Sequence, residues 1–457
     1  MKLYLLAALS LLLSAPALAQ TATWGNGNTP EPTWTGAGLG DGVTLDGGPA
    51  PYDAIEPAKI ATTIDTTGLI TPFGVDYEPN TSGVNDDKFR IVCGPSTSGF
   101  IDPILAPGVD FWHYHGFSGS FLVNKNSTYQ TLRQEGNGSC PGKGLNPTPY
   151  WETAIVKEVG GALIYLKHDR DIHYYQNPQN MRGKYRRIPR GLRMVYGWNP
   201  ADPDDSIRKS KIPAGYIDQG NGKVGWLCVN PATGQNISRP EGGVYSDGFV
   251  TAAGGDPWAG QCKKGFQLIG EMNAPECWNG KQATTTDGRS HMTMALRKAG
   301  GDPLKYCPDN SWIIPGLQNK RIYSLAKDAE YFVDNWRLSS DVMPGRPLQT
   351  FKPGAPPTSY RPGTTLHADW FGAWDDYVLE RFQNRCLAIK IGGVEGVGAD
   401  CDFATISATE RLETGIPQGS GSTVPVVVAP DRANLPAKQR WWPVPARAKF
   451  TGHIRGH

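Results

Sequence analysis

Where the chain shows any hydrophobic period, that period is mostly two. Phe89-Arg90-Ile91-Val92-Cys93 alternates and predicts a strand, placing the start of a compact domain near Lys88. Ser120-Phe121-Leu122-Val123 predicts a second strand. Tyr150 to Val159 and Gly161 to Lys167 predict two neighbouring strands that turn at Gly160-Gly161. From Arg190 to Gly197 the alternation puts Leu192, Met194 and Tyr196 on one side and the basic and β-branched positions on the other. The polar, turn-rich run from Asn199 to Gly260 predicts short strands and loops. Helical spacing is confined to Ser407 to Glu413 and Trp374 to Cys386. In the latter Val378, Phe382 and Cys386 recur at i, i+4, i+8, and Asp375 and Asp376 fall in a first turn, where carboxylates suit the helix dipole. The pattern predicts a mainly β domain over 88–416, sandwich-like or jelly-roll-like, with a few short helices and long disulfide-tied loops.

Composition extends this outward from the domain. With 56 Gly, 38 Pro and 14 Trp in 457 residues, helix bundles are disfavoured and short strands joined by turns are favoured. Residues 1–19 read as a signal peptide: Lys2, an apolar run from Leu3 to Leu13, and Ala17-Leu18-Ala19 as the cleavage site. The run is shorter than the ~20 residues that span a bilayer, and no later segment is long and apolar enough either. Residues 20–87 form a Gly/Pro-rich leader and 417–457 a Pro-rich tail. The chain is therefore expected to be secreted, or periplasmic if a bacterium retains it. Eight cysteines in an exported chain predict four disulfides, here taken between sequential neighbours, the last joining Cys386 to Cys401. No Cys-x-x-Cys pair offers a thiolate zinc site. A net charge of +2 without a long basic run argues against a nucleic-acid partner.

The candidate chemistry is concentrated in Phe111-Trp112-His113-Tyr114-His115. On an extended strand His113 and His115 share one face, ~7 Å apart at Cα, with Trp112 and Tyr114 on the other. His291 and His367 are the further imidazoles in dense contexts. Together the four suit a divalent ion such as Zn, Cu, Mn or Ca, and the alternative is four hydrogen-bonded pocket histidines without metal. Asp369, two residues after His367, adds an oxygen ligand or orients an imidazole. Carboxylates such as Asp102 and Asp369 offer glycosidase chemistry if they are suitably spaced. Tyr114 with a histidine, and Arg193 and Arg289 for a uronate, offers β-elimination. Trp112, Trp370 and Trp374 are candidate sugar platforms, with core packing the alternative. No Gly-x-Ser-x-Gly elbow or dinucleotide fingerprint occurs.

The ordered blocks Asp102-Pro103-Ile104, Pro107-Gly108, His113-Tyr114-His115, Arg193-Met194, Cys277-Trp278-Asn279-Gly280-Lys281, Ser290-His291-Met292, Tyr306-Cys307-Pro308 and His367-Ala368-Asp369-Trp370 resemble the secreted family called domain of unknown function 1996. The resemblance runs from about Phe89 to Cys401, with Ala368 and Phe371-Gly372-Ala373-Trp374 departing from the family pattern. It implies export and, through the family's association with carbohydrate-binding modules, work on cell walls or extracellular polysaccharide. The leading expectation is a polysaccharide-active hydrolase or lyase with a His-lined cleft. The alternatives are a secreted metal-binding or copper redox protein and a non-catalytic glycan-binding wall protein.

Overall fold

A computed structural model describes most of residues 88–379, apart chiefly from 239–265, 325–336 and 342–362, together with 43–45, 56–61, 401–402 and 423–425. The fold is mainly β, and two sheets organise it. A five-stranded sheet runs in the order Arg193–Gly197, His367–Phe371, Tyr150–Thr153, His115–Ser118, Pro95–Gly99, with every neighbouring pair antiparallel. A seven-stranded sheet includes Val224–Val229, Gln267–Asn273, Gly316–Ser324, Arg170–Gln176 and Lys88–Cys93 in that spatial order. The Ile155–Val159 and Ala162–Leu166 strands pair antiparallel with Val159 opposite Ala162, the hairpin that the Gly-Gly signal predicts.

The two sheets pack face to face. The inner face of the five-stranded sheet presents Met194, Tyr196, Ala368, Trp370 and Tyr150, and the main core encloses them with Ile91, Tyr175, Trp226, Leu268, Met272 and Leu317. Polar groups also cross this interior: Tyr150 and Tyr175 join hydroxyls at 2.7 Å, and the Tyr150 ring stacks on His173 at 3.6 Å. The outer face carries Val195, Phe371, Trp151 and Phe117, covered by Ile104, Val123, Tyr129 and Leu132. A layer of loop and short helix, from 101–113 and 119–135, therefore roofs the sheet on the side away from the sandwich.

Several local expectations change. Ser120 to Val123 is not a strand: only Ser120 makes an isolated bridge, to Gly138, and Leu122 is 52% exposed. The strand lies just before it, at His115–Ser118, with all four residues buried. The short helices Tyr129–Glu135 and Ser206–Ser210 carry no strong period and were not expected. Asp375 does not sit inside a first turn. It caps one, its Oδ1 accepting from Val378 N at 3.2 Å while its carbonyl accepts from Leu379 N, and Arg133 pairs with its other oxygen at 3.0 Å. The rest of that proposed helix, the Ser407 to Glu413 helix, residues 1–19 and nearly all of the tail lie outside the described residues.

Cys93 pairs with Cys140 and Cys277 with Cys307, as the sequential scheme expects, and Cys228 is also disulfide-bonded. The pairing of Cys386 lies outside the described residues. Among the described residues no helix is long and apolar enough to cross a membrane.

Candidate metal centre

The centre forms on the outer face of the five-stranded sheet, under the roof. His367 and Asp369 point there because the His367–Phe371 strand alternates, which sends Ala368 and Trp370 into the main core instead. His115 opens its strand on the same face, since His115 pairs with Thr153, and Phe117, two residues on, pairs with Trp151. His113 is not on a strand. The chain bends at Trp112-His113 and brings the His113 ring within 4.2 Å of His115 and 5.0 Å of His367, centroid to centroid. The three rings stand nearly perpendicular, with interplanar angles of 74°, 84° and 89°. Phe111 packs against both, stacked on His115 and edge-on to His113.

Backbone carbonyls fix two of the tautomers. His115 Nδ1–H donates to Ile101 O at 2.7 Å and His367 Nδ1–H to Thr365 O at 2.9 Å. A carbonyl only accepts, so each ring keeps its lone pair on Nε2, the usual arrangement around metal-ligating imidazoles. Asp102 enters from the roof. Its Oδ1 accepts from Ile104 N at 2.9 Å and Leu105 N at 2.8 Å, which anchors the turn and leaves Oδ2 over the site.

The arrangement leaves buried polar atoms with no hydrogen-bond partner: His113 Nδ1, His115 Nε2, Asp102 Oδ2 and both oxygens of Asp369. Their donors fall into two groups, His113–His115–His367 and Asp102–His115–Asp369, each with its ligand atoms within 4.8 Å of one another. Orphaned buried polar atoms are costly, and a cation satisfies this set. The group can therefore hold a metal ion. Burial holds His115 down to about 3, and it holds His113 and His367 well below their ordinary range with help from the neighbouring imidazoles. Neutral imidazoles are the metal-binding form. Burial raises Asp102 to about 7 against its backbone hydrogen bonds, and raises Asp369 well above the carboxylate range, reinforced by Asp102.

His291 does not join the cluster. Its Nε2–H donates to Arg193 O at 2.7 Å and its Nδ1 faces the Thr285 hydroxyl at 3.1 Å, so both ring nitrogens are engaged elsewhere. It pins the 285–291 loop to the sheet edge. Asp287 holds the same loop, accepting from Arg289 N, Ser290 N and two hydroxyls. Gly288, at φ +63°, lets the loop sit on Val195, where a Cβ would lie 2.7 Å from the valine methyl. Arg289 is thereby set close enough to lower the Asp102 and Asp369 carboxyls, while donating to Gly197 O and Trp198 O.

The remaining candidates lie apart. Tyr114 turns to the opposite side, packs with Phe100 and Tyr165, and shares its hydroxyl with Ser98 at 2.8 Å. Arg193 lies over the Phe371 ring at 4.1 Å. Trp370 and Trp374 are core residues whose indole N–H groups donate to Tyr175, so neither offers an exposed sugar platform. Trp112 stays beside His113, 4.3 Å between centroids, and is 6% exposed.

Behind the site, on the inner face, lies a polar network that the sequence reading passed over. Arg321 donates to Asp171 at 2.8 and 2.6 Å and to Gly116 O at 2.9 Å, and Glu152 lies 3.6 Å away. His168 and His173 belong to it, and Asp171, His173 and Tyr175 alternate along one strand as buried positions. That period of two is the signal from which they were legible.

Fold and centre together define a β-sandwich protein with a buried histidine and carboxylate cluster on the outer face of one sheet. The chain belongs to the family described as "Domain of unknown function (DUF1996)", which matches residues 102–374, more than half its length. The match opens on Asp102 and spans all five cluster residues. No curated protein and no solved structure matches the chain.

Proposed function

We propose that this chain is an exported metalloenzyme that cleaves extracellular polysaccharide, by hydrolysis or β-elimination, with a divalent cation held by His113, His115 and His367. One observation carries the metal: three neutral imidazoles and two carboxyls converge in a buried place, and polar atoms of His113, His115, Asp102 and Asp369 are left there without a hydrogen-bond partner. Nitrogen donors without thiolate favour zinc or copper among the ions considered. Such an ion, when bound, polarises the oxygen of a substrate or water that reaches it. The chain's own residues do the rest. Ile101 and Thr365 carbonyls hold the rings in register, Asp102 and Asp369 hold or accept a proton beside the ion, and Arg289 supplies positive charge next to them. Export and the glycan substrate rest on the leader pattern and on the association that the family resemblance implies.

A second reading has its own support. The five cluster residues are at most 5% exposed, and closed sites are the habit of metals that do not turn over substrate. On this reading the chain is a secreted metal-binding or copper redox protein. Elemental analysis of the purified full chain is the first test. Near-stoichiometric Zn, Cu, Mn or Ca that disappears in His115→Ala and persists in His291→Ala is expected, and no metal in the parent chain would sink the centre. A screen of neutral and acidic glycans, read by reducing ends and by absorbance of unsaturated uronates, then separates the readings. Product formation supports the enzyme, and metal without product supports the closed site.

A further inference from the structure

The five donors fall into two groups rather than one, and His115 belongs to both. Ligands about 2.1 Å from one ion lie no more than about 4.2 Å apart, so either group closes on an ion with small adjustments. All five around a single ion would need larger ones. His115 is also limited to one ion at a time, because its Nδ1 is committed to Ile101 O and only Nε2 is free to ligate. An imidazolate bridge between two ions is thereby ruled out by the tautomer.

Charge points the same way. One dication beside the Asp102 and Asp369 carboxylates is neutral overall. Two dications would leave a double positive charge in a buried place already flanked by Arg289, and uncompensated buried charge is strongly disfavoured. The two groups differ in character as well. One is all imidazole, suited to Zn or Cu, and the other is two carboxylates with one imidazole, suited to harder ions. The carboxylate seat does not stand on acidity alone, since both Asp369 oxygens and Asp102 Oδ2 are buried and unpartnered, and one oxygen of each residue lies within 4.8 Å of the other and of a His115 nitrogen.

We propose that the centre takes one divalent cation in either of two overlapping seats sharing His115: borderline ions with His113 and His367, harder ions with Asp102 and Asp369. The proposal rests on the metal reading above and refines it. It makes the chain's metal content a matter of supply, with a seat ready for each class of ion.

The test uses the full chain stripped with a chelator, titrated with Mn²⁺ by electron paramagnetic resonance and with Zn²⁺ against a chromophoric chelator. One equivalent of either ion is expected, with Zn²⁺ displacing Mn²⁺. Since outer-shell changes already cost 10–100-fold, removing a ligand is expected to cost about 100-fold or more. His113→Ala therefore weakens Zn²⁺ and spares Mn²⁺, Asp369→Asn does the reverse, and His115→Ala weakens both. His367→Gln and Asp102→Asn repeat the contrast if a first variant loses its near-ultraviolet dichroism. Simultaneous binding of both ions, or equal losses for both ions in both variants, would overturn the two-seat proposal and leave the metal reading standing. No binding of either ion to the parent chain would overturn both.

Discussion

Asp341 shows how far from the centre its geometry is set. Its Oδ2 accepts from Leu338 N and Gly363 N, each at 2.7 Å, and its Oδ1 from Thr365 N at 3.2 Å and the Thr365 hydroxyl at 2.7 Å. Thr365 in turn offers its carbonyl to His367 Nδ1–H. Burial lifts the Asp341 carboxyl to about 6. In Asp341→Asn an amide replaces an oxygen that meets only donors, so the 363–365 turn shifts. Metal affinity is expected to fall about 10- to 100-fold, with Asp341→Glu recovering part of it, as read by chelator competition. Unchanged affinity would mean that Thr365 is fixed by other contacts. At this scale the sequence was informative where a pattern existed. His113, His115 and His367 came from dense aromatic contexts, and Asp369 from its two-residue spacing. That same spacing implies that Trp370 faces away from the site. Asp341 is a single acid in an unremarkable run, and nothing local marks it. His291 looked equivalent to the others because sequence shows what surrounds a ring along the chain and not what faces its nitrogens.

Among the elements, the Gly316–Ser324 strand ties the two sheets together through Arg321. Its inward positions Leu317, Asn319, Arg321 and Tyr323 are all buried. Arg321 reaches across to the carbonyl of Gly116, the residue after His115, and carries Asp171 and Glu152 with it. Glu152 is raised to about 8 by burial, against the pull of Arg321, while Arg321 holds Asp171 below its usual range despite burial. Arg321→Met removes the shared cation and leaves Asp171 uncompensated. A loss of about 3–5 kcal/mol is expected from urea unfolding, the usual cost of breaking a buried pair. A loss under about 1 kcal/mol, the worth of an exposed pair, would show that water reaches the network. Strands such as Arg193–Gly197 are readable in kind and not in partner, because period two reports a buried face without saying which sheet it meets, whereas Gly316–Ser324 buries Asn319 and Arg321 on its inner face and so shows no apolar alternation to read. The missed Tyr129–Glu135 helix has the opposite problem: seven residues are too few for a helical period to stand out.

Over the whole molecule the histidines act together. All six histidines among the described residues are buried: His113, His115, His168, His173, His291 and His367. Burial lowers all six, His168 to about 3 and His173 and His291 to about 4. At these six rings the unfolded chain binds more protons below about pH 6.5, so their share of the stability is complete above that pH and drains away as pH falls toward 4, while the raised carboxyls of Asp102, Glu152, Asp341 and Asp369 take up protons in the folded chain and offset part of that loss. Each histidine contributes at most about 1.4 kcal/mol per pH unit. Urea midpoints are expected to fall between about pH 6.5 and about pH 5, with a metal-loaded chain losing its ion over the same range. Imidazole resonances of the folded chain that titrate near pH 6.5 would show that these rings are solvated.

Residues 56–61 belong to this unit although they precede its first alternating strand. Glu56 pairs with Arg190 at 2.8 Å and accepts from its backbone N–H, Pro57 touches the position of Gly191, and Ile60 packs on the outer-face cluster while its carbonyl takes Arg133. Hydrophobic alternation starts at Lys88, and a chain trimmed there would look whole by its strands. It would nonetheless lose part of the lid over Tyr129 and Leu132, the side of the molecule that shelters Asp102 and the three imidazoles. A shortened chain that folds and yet binds metal poorly would therefore be the signature of a missing edge and not of a missing site.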